Sequence, residues 1–270
     1  MKLFFAGTEA DIINKRLVAS GMKKAMYSFY YIRDAQGNKF KKRQASYDEL
    51  FIDSGGFSAR VKGVNIKITD YADYLKKVVK KKNKKLNLIY ANLDVTSVKD
   101  TLYNQKYLES QGLNPLPVYH ASDYFQGNKK LLLNYIKKYD YIAAGGVSGS
   151  GYLAKQVQEY FDFIFTHTKD KIKIHGFGVT AINFLNRYPF YSVDSTSWNQ
   201  GMLYGMLTRW DARKLCFTNL HYTKNDKNLD NRTIISDVSD YKARASHNIK
   251  QYLKMEKTFN SIWKARGITW

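Results

Sequence analysis

Residues 49–57 read Glu-Leu-Phe-Ile-Asp-Ser-Gly-Gly-Phe. A short apolar run breaks off at an aspartate, and a serine and two glycines turn the chain at once. The same pattern recurs along the sequence in KLFFAG (2–7), ELFIDSG (49–55), NLIYANLD (87–94), LPVYHAS (116–122), YIAAGGV (141–147), KIHGFGV (173–179) and FYSVDST (190–196). Runs that are apolar throughout, rather than alternating, belong to strands buried on both faces, so a parallel sheet covered by helices is expected. KLCFTNL (214–220) is expected to supply an eighth strand and complete an α/β TIM (β/α)8 barrel. Between the strands, residues 69–82, 128–139, 151–166 and 180–187 read as helices, with YLAKQVQEYFDFIF the clearest apolar stripe.

A chain of 270 residues suits one such barrel, which takes about 250. Three prolines and the lack of any low-complexity linker give no internal boundary, so a single domain over 1–235 is expected, with a helical tail over 236–270 packed outside it. Apolar residues at 44% and charged ones at 25% exclude the disordered and fibrous classes. No apolar run reaches the roughly 20 residues of a membrane span, and MKLFFAGTEAD meets acidic residues too early for a secretion signal, so a cytoplasmic setting is expected. The one cysteine, Cys216, excludes an intramolecular disulfide and a multi-cysteine zinc site, and reads as a small apolar residue of a buried strand. Lys and Arg number 44 against 23 Asp and Glu, a net charge of +21, which points to a polyanionic partner.

In a parallel barrel all carboxyl ends of the strands converge on one face, where such enzymes place their active sites. Asp53, Asp94, His120, Gly145, Gly146, His175 and Asp194 all close predicted strands and are therefore expected around one pocket. Each has a plainer role open to it. An aspartate after a strand caps the next helix, a glycine pair permits a tight turn, and a lone histidine is often a satisfied core residue. The run Gly145 to Gly151 offers backbone N–H groups to an anion but is neither a Walker A loop nor a good dinucleotide fingerprint.

With these residues in view, residues 49 to about 201 resemble the tRNA-guanine transglycosylase superfamily, most closely its phage-type branch, the 7-deazaguanine DNA transglycosylases. Asp53-Ser54-Gly55-Gly56-Phe57 looks like the family's DSGGF motif. Asp94 is similar to the aspartate that reads the guanine edge, Gly145-Gly146 to the pair lining the base pocket, and Asp194 in SVDSTSW to the nucleophile. His120 stands where the tRNA enzymes carry a glutamine. The zinc subdomain of the tRNA enzymes requires three cysteines and cannot be built here, and little room remains for an appended RNA-binding domain. The resemblance therefore implies guanine replacement in DNA, with tRNA as the alternative substrate.

That chemistry breaks an N-glycosidic bond and re-forms it with retained stereochemistry, which double displacement on a carboxylate achieves. The resemblance implies Asp194 as nucleophile and Asp53 as general acid and base. Asp94, Ser54, Gly55, Gly56, Phe57, His120, Gly145, Gly146 and His175 would bind the base, which is expected to be flipped out or single-stranded. The expected co-substrate is a free 7-deazaguanine base, with no metal and no other cofactor. Lys39, Lys41, Lys42 and Arg43 are expected to hold the nucleic acid. The dense run Lys76, Lys77, Lys80, Lys81, Lys82, Lys84 and Lys85 ends a helix before the Asn87 strand, on the amino-terminal side of the barrel. A metal-dependent TIM-barrel hydrolase and a non-catalytic nucleic-acid-binding barrel remain as rival readings.

Overall fold

The computed structural model describes residues 1–33, 44–95, 97–199, 204–221 and 240–270. Its strands are β1 (Lys2–Phe5), β2 (Lys24–Ser28), β3 (Glu49–Asp53), β4 (Asn87–Tyr90), β5 (Val118–His120), β6 (Tyr141–Gly145), β7 (Lys173–Gly176), β8 (Ser192–Ser195), β9 (Met206–Asp211) and β10 (Cys216–His221). The first eight form one parallel sheet in the order β4-β3-β2-β1-β8-β7-β6-β5. Its two faces separate by strand period. Phe4, Met26, Phe51, Val118 and Ala143 meet in one apolar cluster, whereas Leu3, Phe5, Ala25, Tyr27, Leu50, Ile52, Tyr119 and Ile142 join the larger core.

The sheet is strongly curled. Phe51 on β3 and His175 on β7 pack with ring centroids 4.6 Å apart, although four ladder steps would separate them by about 19 Å in a flat sheet. The two ends of the order meet at one parallel bridge, Ala91 with Leu116. There Leu116 N–H donates to the Tyr90 carbonyl at 2.8 Å and Asn92 N–H to the Leu116 carbonyl at 2.9 Å. Among the described residues no regular ladder runs along this seam, and the architecture is a TIM-like α/β fold built on a curled eight-stranded parallel sheet.

Helices α1 (Asp11–Ala19), α2 (Phe29–Ile32), α3 (Gly56–Val61), α4 (Ile68–Lys81), α5 (Val98–Ser110), α6 (Ala121–Phe125), α7 (Lys129–Lys138), α8 (Ala154–Thr168) and α9 (Ile182–Arg187) lie in the connections, and α10 (Tyr241–Ala265) follows the sheet. α4 shows why such segments fold as they do. Tyr71, Ala72, Tyr74, Leu75 and Val78 are buried at helical spacing while its lysines face water.

Two sequence expectations are corrected. Residues 214–220 are not the eighth strand of the parallel sheet. β10 pairs antiparallel with β9 in a separate hairpin, and Cys216 within it is only half-buried. The missing strand is β2, paired in parallel with both β1 and β3. Its KAMYS sequence lies among lysines and aromatic residues without a glycine-rich end, so nothing punctuated it as a strand.

α10 ties the hairpin to the sheet. Asn248 and Gln251 accept hydrogen bonds from Thr208 and Trp210 N–H at 2.9 and 3.2 Å. Further along, Glu256 accepts from Leu3 N–H at 2.9 Å and pairs with Lys24 at 3.0 Å. Trp263 then donates its indole N–H to the Leu185 carbonyl at 3.0 Å. No described helix is long and apolar enough to cross a membrane.

Candidate active site at the carboxyl ends of the strands

Period-2 alternation carries the polar strand ends onto the concave face, one step beyond the apolar cluster. Asp53 follows Phe51, His120 follows Val118, Gly145 follows Ala143 and Asp194 follows Ser192. Register aligns Asp53 with Ser28, His120 with Gly145 and Asp194 with Phe4.

The Asp53-Ser54-Gly55-Gly56 turn folds back on its own carboxylate. Gly55 N–H donates to Asp53 Oδ2 at 3.0 Å, and Gly56 N–H donates to Ser54 Oγ at 3.2 Å. Gly55 has φ +75°, and a Cβ there would lie 2.5 Å from Tyr30 Cβ and 2.6 Å from Ser28 Oγ, so only glycine fits. Ser54 is fully buried, and its hydroxyl donates to Asp94 Oδ1 at 2.9 Å. It holds Asp94 in place from the buried side.

Asp94 is the hub of a small network. His120 Nε2 donates to its Oδ2 at 2.8 Å, and the His120 backbone N–H donates to Asp123 Oδ2 at 2.9 Å. Burial pushes the Asp94 carboxyl up, but the hydrogen bond and charge of His120 and the Ser54 hydroxyl outweigh it and hold Asp94 below the usual carboxylate range. Burial likewise works against the His120 cation, yet Asp94 and then Asp123 raise its pKa overall. Gly145 exists for this ring: a Cβ there would lie 2.9 Å from His120 Cδ2. The glycine pair thus seats the histidine, a role the sequence reading had not given it.

Asp53 is the electrostatic opposite of Asp94. Burial, then the charges of Asp94 and Asp194, push its pKa to about 8, against weaker help from the Gly55 and Ser54 backbone N–H groups. The three strand-end aspartates therefore share one locus, with Asp53 neutral at pH 7 and Asp94 ionised beside it. Asp194 is 7% exposed, and its Oδ1 accepts the Gly178 N–H at 2.8 Å.

His175 reaches the same locus from the buried side. It has no exposed surface and sits behind Asp194, its Nε2 3.4 Å from Asp194 Oδ1, within rings of Phe4, Phe51 and Phe177. Phe57, 57% exposed, stands at the rim beneath the Arg60 guanidinium, with its ring beside Gly149. Lys39, Lys41, Lys42 and Arg43 lie outside the described residues.

Sequence reasoning missed Ser28, Arg60, Asp123, Tyr141, Gly178 and Ser192. Ser192 and Tyr141 had a usable signal, since they share strand parity with Asp194 and Gly145. Among the described residues no group of three His, Cys, Asp or Glu side chains is arranged to hold a metal. Two cavities, of about 530 and 660 Å³, lie beside Asp70 and Tyr74 and beside Pro115 and Tyr139, and neither is lined by the strand-end aspartates. In comparisons with known proteins, the chain matches no family model and no curated protein.

Proposed function

We propose that this protein is a base-exchange transglycosylase that replaces guanine in DNA with a 7-deazaguanine derivative through a covalent aspartyl-glycosyl intermediate. The observation that carries the reading is the division of labour among its aspartates: a neutral Asp53 whose pKa is about 8, beside an Asp94 held below the usual carboxylate range. An acid and an anion forced apart by environment within one cluster are what departure of a poor leaving base requires. On this reading the curled sheet is a (β/α)8 barrel whose seam is bridged at Ala91 and Leu116, and the site occupies its carboxyl-terminal mouth.

In the first step a carboxylate oxygen of Asp194 attacks C1′. The C1′–N bond breaks, its electron pair leaves with guanine, and Asp53 supplies the proton that neutralises the base. Asp53, now a carboxylate, takes a proton from the incoming base, whose nitrogen attacks C1′ and releases Asp194. Asp94 accepts the N–H donors of the purine edge, with its own position fixed by Ser54 and His120. Phe57 stacks at the rim, where its exposed face meets an unstacked base. DNA is favoured over tRNA because one cysteine cannot build the zinc subdomain that the resembled tRNA enzymes carry.

The test is incorporation of a labelled 7-deazaguanine base into duplex DNA, single-stranded DNA and tRNA at one fixed salt concentration. Labelling of DNA is expected, with more in single strands because no base must be unpaired. Labelling of tRNA alone would move the substrate to RNA, and labelling of none would remove the activity.

A further inference from the structure

We infer that His175 is a positioning residue, which through a directed chain from Tyr141 and Ser192 fixes Asp194 with one carboxylate oxygen committed to the protein and the other facing the reacting sugar. This rests on the transglycosylase reading for what the free oxygen attacks, but the geometry of the chain does not.

The chain begins at Tyr141, on the concave face of β6. Its hydroxyl is 2.6 Å from Ser192 Oγ, and Ser192 Oγ is 2.7 Å from His175 Nδ1. Burial pushes the Tyr141 phenol well above its ordinary range despite the Ser192 contact, so the group is a neutral O–H. Among the described residues, the Ser192 oxygen is its one hydrogen-bond acceptor. Tyr141 therefore donates to Ser192, whose own proton then points to His175 Nδ1. An Nδ1 that accepts leaves the ring proton on Nε2. That nitrogen is buried, has no hydrogen-bond partner, and lies 3.4 Å from Asp194 Oδ1.

A fully buried N–H without a partner is costly, so it is placed where it has a use. Its separation from Oδ1 exceeds a good hydrogen bond by a few tenths of an ångström, a gap that a small shift of either side chain closes. Oδ1 already accepts the Gly178 N–H at 2.8 Å. Oδ1 is thus held by the Gly178 N–H with His175 Nε2 poised beside it, and Oδ2 remains as the attacking oxygen. The Phe51 and Phe177 rings, with centroids 4.6 Å from the imidazole, prevent it from swinging away.

Two measurements test this. In the wild-type protein labelled with ¹⁵N-histidine, the imidazole correlations of His175 should show the Nε2–H tautomer, and Ser192→Ala should perturb it. An Nδ1–H tautomer would overturn the proposal whatever the activity. In the exchange assay, His175→Phe keeps the buried aromatic packing and should lower kcat about 10- to 100-fold with KM nearly unchanged, the range for groups that orient a reacting side chain. His175→Gln, which returns an N–H near the Nε2 position, should recover much of the loss. Wild-type kcat in His175→Phe, or a loss confined to KM, would refute the positioning role. A wild-type protein that exchanges no base but shows the Nε2–H tautomer would sink the transglycosylase reading and leave the chain standing.

Discussion

A carboxyl group that stays neutral to about pH 8 is a liability for folding as well as an asset for chemistry. Asp53 ionises above 3.8 in an unfolded chain but only near 8 in the fold, so folding takes up a proton in that window and stability falls as pH rises through it. Asp53→Asn removes the penalty. Its thermal midpoint should exceed wild type by about 2–4 °C per kcal/mol relieved at pH 8 and match it at pH 4, while exchange collapses. An unchanged midpoint at pH 8 would show that Asp53 is not held neutral. The Asp94–His120 pair has the opposite character. Asp94, lowered, contributes stability that is lost as pH falls through its folded pKa, and His120, raised, contributes stability that is lost as pH rises through its own. His120→Gln should therefore cost most between about pH 4 and 6.5, on the order of 1–2 kcal/mol, and less once the pH has risen through the raised His120 pKa. Denaturant midpoints across that range measure it.

At the level of elements, seven strands were legible because each buried run ended in a polar or glycine cluster. β2 was not, since Ala25, Met26 and Tyr27 are buried between half-buried Lys24 and Ser28 with no such ending. α5 was passed over for a related reason. Its buried residues include Thr101, Asn104 and Gln105, which bond loop carbonyls such as Leu93 and Pro115 and leave only a faint apolar stripe. The hairpin was misplaced because Phe217 packs like a strand residue, yet its partners are Trp210 and Tyr252 rather than the sheet. The aspartates were legible singly by position. Their bonding through Ser54 and His120 was not, for those partners lie 40 and 26 residues away and only three-dimensional register joins them. α10 also carries a prediction. Glu256, 7% exposed, joins β1 and β2 through Leu3 N–H and Lys24. Glu256→Ala leaves a buried N–H and a half-buried ammonium behind, and should lower unfolding free energy by about 3 kcal/mol in a urea titration. A loss below about 1 kcal/mol would show that the tail helix is not anchored there.

The molecule as a whole carries +21, and under the proposed function that charge would set how it meets DNA. For about six phosphate contacts, affinity should fall about a thousandfold between roughly 50 and 200 mM salt. The lysines of α4 and the turn after it, Lys80, Lys81, Lys84 and Lys85, precede the start of β4, at the end of the sheet away from the aspartates. Reversing three of them to Glu should weaken binding through the general field but leave kcat intact, whereas Arg60→Ala, at the rim beside Phe57, should impair exchange itself. The claim on which all of this depends is that Asp194 becomes bonded to the sugar. Protein turning over guanine-containing DNA, quenched in acid and digested with nuclease and protease, should carry the mass of a deoxyribosyl group on the peptide containing Asp194, and Asp194→Asn should carry none. An adduct on any other residue, or equal exchange by Asp194→Asn, would contradict the account.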